Sequence, residues 1–236
     1  LPPQCQLCGL PCPGPEDLCP ACRLTLRPLP GGLEAPRGTA RRPFAPFCYG
    51  SGAQVLAQQM KFHRRPEAAR LMATLMAEAL PRPFLGNAVV LIPLALHWRR
   101  RLQRGFDQAQ LLSLWLHRLT GLPLTAVLRR HRATAPQSRL PREARSGNLA
   151  GAFYAASPPQ PGLTPVLVDD VATTGATLSA GRAALLAAGW GPRSIGFSPG
   201  RCPQAHLDSL GRAGCTARLS TWGPEAMDTP YEALSP

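Results

Sequence analysis

Lysine is almost missing from this chain: of 26 basic residues, only Lys61 is a lysine and the other 25 are Arg. Acidic residues are scarce too, 13 in all, which leaves a formal charge of +13. Such a balance favours an anionic partner, whether nucleic acid, nucleotide or phosphorylated substrate. Arginine-rich coding in a GC-rich genome is the simpler source of that charge. Aromatic residues make up 6% and do not interleave with the arginines, so no base-stacking platform is evident. No run of about 18 apolar residues occurs, so no membrane span is expected. No G-x4-G-K-[ST] sequence is present, which excludes a Walker-type phosphate loop. The first residues, LPPQCQLCG, lack the charged-then-apolar layout of a secretory signal and carry no initiating Met. A few preceding residues are expected to be missing, and the working compartment is expected to be the cytoplasm.

What is present is concentrated. Five of the eight cysteines fall in the first 22 residues. Cys5-x2-Cys8 and Cys19-x2-Cys22 form two knuckles in CQLCGLPCPGPEDLCPAC. Thiolates two residues apart turn both sulfurs toward one ion, and two such pairs complete a four-cysteine zinc site. Disulfides are the alternative, but they are rare in a cytosolic chain. With so few apolar residues the segment would not fold without a staple. Cys12 is a spare that could replace Cys8. Lys61 points to a position needing a compact ammonium or a shiftable pKa, unless it is one surviving surface lysine.

Residues 24–45, rich in Pro, Gly and Arg, read as a linker. FCYGSG (47–52) reads as a short strand ending in a turn. Residues 53–80 have helical spacing, divided in two by Pro66. AVVLIPL (88–94) reads as a buried parallel strand. A helix is expected over 107–119, strands near 124–129, 151–155, 166–169 and 194–197, and a helix over 176–188. Strands alternating with helices imply an α/β fold, a parallel sheet covered on both faces, with ligands at the strands' carboxyl ends.

VLVDDVATTGATL (166–178) sits at such an end. Val166, Leu167 and Val168 anchor a loop whose following helix aims free N–H groups at whatever the loop encloses. Gly175 permits close backbone approach, and Thr173, Thr174 and Thr177 add hydroxyl donors, so a monoester phosphate fits. Asp169 and Asp170 repel one another unless hydroxyls or a cation meet them. Ribose hydroxyls, or a bound Mg2+, would do so. The alternative is a Thr-capped helix with solvated acids. HWRRRLQRGFDQ (97–108) sets Arg99, Arg100, Arg101 and Arg104 near that mouth; it reads as a mobile loop hinged at Gly105, or as a solvated basic face. Lys61 would reach a phosphate from the opposite side.

On these residues, VLVDDVATTGATL resembles the signature of type I phosphoribosyltransferases that binds phosphoribosyl pyrophosphate (PRPP). IPLALHWRRRLQRGFDQAQLL (92–112) and TAPQSRLPREARSGNLAGAF (134–153) are similar to stretches of the ComF family, as is the cysteine module followed by MKFHRR. The resemblance implies a zinc-binding module (1–24), a linker (25–46), a type I phosphoribosyltransferase-like domain (47–200) and a C-terminal tail (201–236) of unclear structure. It implies Asp169 and Asp170 on the ribose, and Thr173, Thr174, Gly175, Ala176 and Thr177 around the 5-phosphate. The loop bearing Pro93 and Leu94 falls where pyrophosphate binds, and Arg104 and Lys61 join the aspartates as catalytic candidates. Three departures stand out: Ala172 for a larger aliphatic, Ala95 for a second proline, and Asp107 for the usual Asn. The implied cofactors are structural Zn2+ and Mg2+ with PRPP.

Two functions follow as expectations. One is a phosphoribosyltransferase of unknown acceptor, or a PRPP-sensing relative, linked to competence and DNA uptake. The other is an adaptor that binds single-stranded DNA or a helicase partner through the cysteine module and basic patches. A homo-oligomer is an open option.

Overall fold

The computed structural model describes residues 3–12, 17–26, 45–47, 50–62, 65–80, 88–132, 149, 151–171, 176–191 and 193–197. Six helices and five strands follow in chain order: α1 (Pro20–Leu24), α2 (Ser51–Phe62), α3 (Glu67–Ala79), β1 (Val89–Pro93), α4 (Trp98–Arg104), α5 (Gln108–Thr120), β2 (Leu128–Arg130), β3 (Phe153–Ala155), β4 (Thr164–Val171), α6 (Ala176–Ala187) and β5 (Arg193–Phe197). The tail from residue 201 lies outside the described residues.

Strand β4 is central. It pairs in parallel with β1 on one edge and β5 on the other. A parallel bridge between Leu91 and Leu124 adds one residue of a further strand beyond β1. The aliphatic runs in β1 and β4 are buried on both sides of the sheet, as parallel strands under helices require. Alternate residues feed two separate cores. Val89, Leu91, Val166 and Val168 pack with α2, α3 and α5, and with the cysteine module. Val90, Ile92, Leu94 and Leu167 pack with α6, β2 and β3.

Several expected elements differ. Of FCYGSG, Phe47 makes one bridge and α2 already starts at Ser51, while residues 48 and 49 lie outside the described residues. Strands β2 and β3 pair antiparallel to each other in a separate sheet instead of joining the parallel one. The basic segment expected as a mobile loop is helix α4. His97 caps its start by accepting from the Arg99 N–H, and Gly105 ends it in the left-handed region at φ 84°. Gly105 is thus a helix stop, not a hinge. At the start of the expected linker Thr25 and Leu26 are buried; residues 27–44 lie outside the described residues.

One glycine sets how closely α6 approaches the sheet. A Cβ at Gly181 would lie 2.6 Å from Leu94 Cδ1 and 3.2 Å from Leu128 Cδ2, so the helix sits down only because hydrogen is there. Gly181→Ala is expected to destabilise the protein by about 1–2 kcal/mol in urea unfolding, overpacking outweighing the ~1 kcal/mol gain in helix propensity. A more stable variant would mean that Leu94 swings away freely.

Candidate functional site

The cleft lies at the carboxyl end of β4. Between Val168 and Val171 the strand advances three residues while β5 advances two, Ile195 to Phe197, so β4 carries a one-residue bulge. Bulges re-aim side chains, and this one holds Asp169 and Asp170. Each carboxylate is braced by the next backbone amide: Asp170 N–H donates to Asp169 Oδ1 at 2.9 Å, and Val171 N–H donates to Asp170 Oδ1 at 2.7 Å. The expected strand end at Asp169 therefore moves outward, and both acids belong to the strand itself.

Lys61, the sole lysine, comes from the end of α2 and places Nζ 3.0 Å from Asp170 Oδ2, with the aspartate side chain 9% exposed. Asp169 is held well above the usual carboxylate range, first by burial and then by the neighbouring Asp170 charge; Lys61 pulls it back only in part. Its ionised form is therefore costly in these surroundings.

Cations converge from two further elements. Arg104 of α4 is pulled below the usual guanidinium range by burial, while the charges of Asp170, Asp107 and Asp169 act to restore it. Arg130, at the end of β2, is lowered to about 10 by burial and by Arg100 and Arg132, with Asp169 opposing. Arg100 is lowered by burial and by Arg104. His97 is lowered by burial and by Arg130, Arg99 and Arg100. Burial lowers all three guanidiniums, and Arg104 acts on Arg100 and Arg100 on Arg130, so an incoming anion would relieve the charge they share.

Asp107 explains itself structurally. Its Oδ1 accepts from Gln110 N–H at 3.1 Å, capping α5, and its Oδ2 accepts from Leu96 N–H at 2.9 Å. A carboxylate offers an acceptor on each oxygen, whereas an amide offers one. Asp107 thus ties the 93–96 loop to α5. Leu94 N–H donates to Val168 O at 2.9 Å and its side chain is buried, while Pro93 closes β1.

The cysteine module is a second site. The Sγ atoms of Cys5, Cys8, Cys19 and Cys22 all lie within 4.8 Å of one another. Cys8 and Cys19 Sγ are 3.8 Å apart, the edge expected of a tetrahedron with Zn–S bonds of about 2.3 Å. None of the four is disulfide-bonded in this structure. Cys12 stands outside the quartet. Burial pushes the Cys8 thiol to about 12 and Cys22 further still. For Cys19 burial is outweighed by hydrogen bonds from the Cys22 backbone and the other thiols, which bring it to about 7. Four thiols crowded this closely fit a soft divalent cation, and zinc would hold them as thiolates.

The chain is 34% identical over 186 residues to the DNA utilization protein YhgH of Salmonella typhi, covering 74% of each. It is 35% identical over 190 residues to YhgH of Escherichia coli K12, covering 74% of this chain and 80% of that one. Competence protein F of Haemophilus influenzae is 34% identical over 132 residues, 53% of this chain and 58% of its own length. The chain belongs to the ComF family. No protein-family profile matches it.

In this ComF-family chain the fold brings together Asp169, Asp170, Lys61 and Arg104, with Pro93 and Leu94 at the adjoining strand end. Ala176 and Thr177 open α6 just beyond. Thr173, Thr174 and Gly175 lie outside the described residues. Arg130 carries no mark of its own in the sequence, where Arg129 and Arg132 flank it; the pairing of β2 with β3 singles it out. Among the described residues, no helix is long and apolar enough to cross a membrane.

The two acids should respond oppositely to neutralisation. Asp169 has a raised pKa in the fold, so its contribution is fully present below the unfolded value near 3.8 and is lost as pH rises through the folded one. Asp169→Asn should therefore raise Tm at pH 7 by about 2–4 °C, roughly 1 kcal/mol, and flatten the acid-to-neutral decline. Asp170→Asn strands Lys61 and should cost about 1–3 kcal/mol. Thermal unfolding of both variants between pH 4 and 8 decides; the same sign for both would refute the assignment.

Proposed function

We propose that this cleft binds PRPP or a related ribose 5-phosphate with Mg2+, and that the protein serves DNA utilisation or competence as its relatives' names describe. The observation that carries the reading is the facing of two strand-end acids by Lys61, Arg104 and Arg130. A ligand with both hydroxyls and phosphates satisfies both halves; a plain anion satisfies only one. Asp169 and Asp170 would accept from ribose hydroxyls and share a divalent cation with the ligand. Thr173, Thr174, Gly175, Ala176 and Thr177 would receive the 5-phosphate, at the start of a helix whose dipole suits it.

As a transferase the cleft would pass ribosyl phosphate to a nitrogen nucleophile, which bonds to the anomeric carbon as the bond to pyrophosphate breaks. The transition state resembles an oxocarbenium ion, so positioning and fixed charge supply most of the rate. Magnesium, when bound, would neutralise diphosphate charge. Arg104 and Arg130 would take up the negative charge that grows on the leaving group, and Asp107 would keep the 93–96 loop in place through the Leu96 amide. The four cysteines would hold structural zinc.

A second reading rests on Trp98. It stands 56% exposed at the start of α4, with the Arg99 guanidinium 5.3 Å from its ring centroid and Leu102, 72% exposed, one turn on. An exposed indole beside arginines suits stacking on a base of single-stranded DNA, as an adaptor would require.

Calorimetric titration of the zinc-loaded chain with Mg2+ and PRPP separates the two. Micromolar binding is expected, lost in the double variant Asp169→Asn/Asp170→Asn and weakened about 10–100-fold in Arg130→Met, equal to about 1.4–2.8 kcal/mol. No binding by the wild type would sink the PRPP reading. Oligonucleotide binding that falls with Trp98→Ala would then favour the adaptor.

A further inference from the structure

Helix α2 touches the cysteine module with one face and the cleft with another. Gln59 Nε2 donates to the Gln6 carbonyl, inside the first knuckle, at 2.8 Å. Lys61, two residues on, reaches Asp170 at 3.0 Å. Two residues turn a helix by about 200°, so these side chains leave on opposite faces. Three further fastenings hold the module to the same helical layer. Asp17 takes both carboxylate oxygens to Arg70 of α3, at 2.7 and 2.6 Å. Arg23 pairs with Glu78 at 3.3 Å. Leu7, Leu18 and Leu26 share one core with Leu56 and Met60. At Gly52 the fit is closest: a Cβ there would meet Thr25 Oγ1 at 2.5 Å and Leu7 and Leu26 at 3.0 Å.

We infer that the cysteine module is a positioning element of the cleft, with α2 as the strut that carries its folded state to the Lys61–Asp170 pair. The module has little apolar content of its own and depends on its metal for folding. Without metal, α2 loses the surface that covers Gly52, Leu56 and Gln59, and the end of the helix that presents Lys61 loosens. Lys61 is a positioning residue here: it acts on Asp170. The inference rests on the cysteines holding zinc and is independent of what the cleft binds.

The chain supplies its own reporter, because Lys61 is the only lysine. An amine-reactive acetylating reagent marks Lys61 and the α-amino terminus alone, and peptide mass separates the two. In the full-length, zinc-loaded protein Lys61 should acetylate slowly. Chelation with zinc loss confirmed by elemental analysis should speed it about fivefold or more, to the rate of zinc-loaded Asp170→Asn, and zinc return should restore protection. Gly52→Ala, zinc-loaded and with an unchanged circular dichroism spectrum, should speed acetylation about twofold or more, since it wedges the module from α2 while improving helix propensity. An unchanged Lys61 rate after measured zinc loss would overturn the inference. If chelation unfolds the whole chain, Gly52→Ala decides alone, and a wild-type rate in that variant overturns it. Protein that neither contains nor takes up zinc would defeat the metal reading and this inference together, a result distinct from zinc bound without effect on Lys61.

Discussion

Strand β4 is hydrogen-bonded along both edges and covered on both faces, which leaves one place on it where charge can be tolerated: its carboxyl end. Apolar residues fill Pro165 to Val168, and the two acids follow at the bulge. The rest of the cleft answers that placement. Lys61 arrives from α2 on the side of the first core, and Arg130 from β2 on the side of the second. Arg104 comes from α4, which follows β1 and precedes α5 in the chain.

The cleft is electrostatically unfinished without a ligand. Asp169 is disfavoured in its ionised form, and Arg100, Arg104 and Arg130 are each lowered first by burial. Asp170 has a close cationic partner in Lys61. A charge-rich pocket of this kind stores binding energy for a ligand that carries both anionic groups and hydroxyls. The scaffold around it is rigid where it must be. His97, Gly105 and Asp107 start and stop two consecutive helices, and Asp107 fixes the neighbouring loop at the same time. The arginines of α4 are thereby presented from a capped helix, which limits the entropy lost when they engage a ligand.

The cysteine module is joined to the body by a shared core and by charged pairs of different exposure. Surface pairs such as Arg23–Glu78 contribute little by themselves. The buried leucines and the Gly52 contact set the geometry, since close-packed surfaces do not slide without opening voids. A metal-dependent module fastened this way makes the order of α2 conditional on the module's own folding.

Local pattern determined much of this. The two-residue spacing of the cysteines marked the quartet, the aliphatic runs marked β1 and β4, and Pro66 divided α2 from α3, because each signal depends on neighbours a few residues apart. The acids of 169–170 were legible as a site, since adjacent carboxylates at a strand end need a partner. Other features were decided only by the tertiary structure. Residues 124–129 and 151–155 read alike as short strands, yet β2 and β3 pair with each other, a choice that long-range register makes. Arg130 looked like its neighbours until that register singled it out, and Lys61 was merely an odd lysine until α2 carried it 109 residues along the chain to Asp170. Sequence records which groups are present and how they recur; which charge meets which is settled by layers packing together, at separations no local pattern spans.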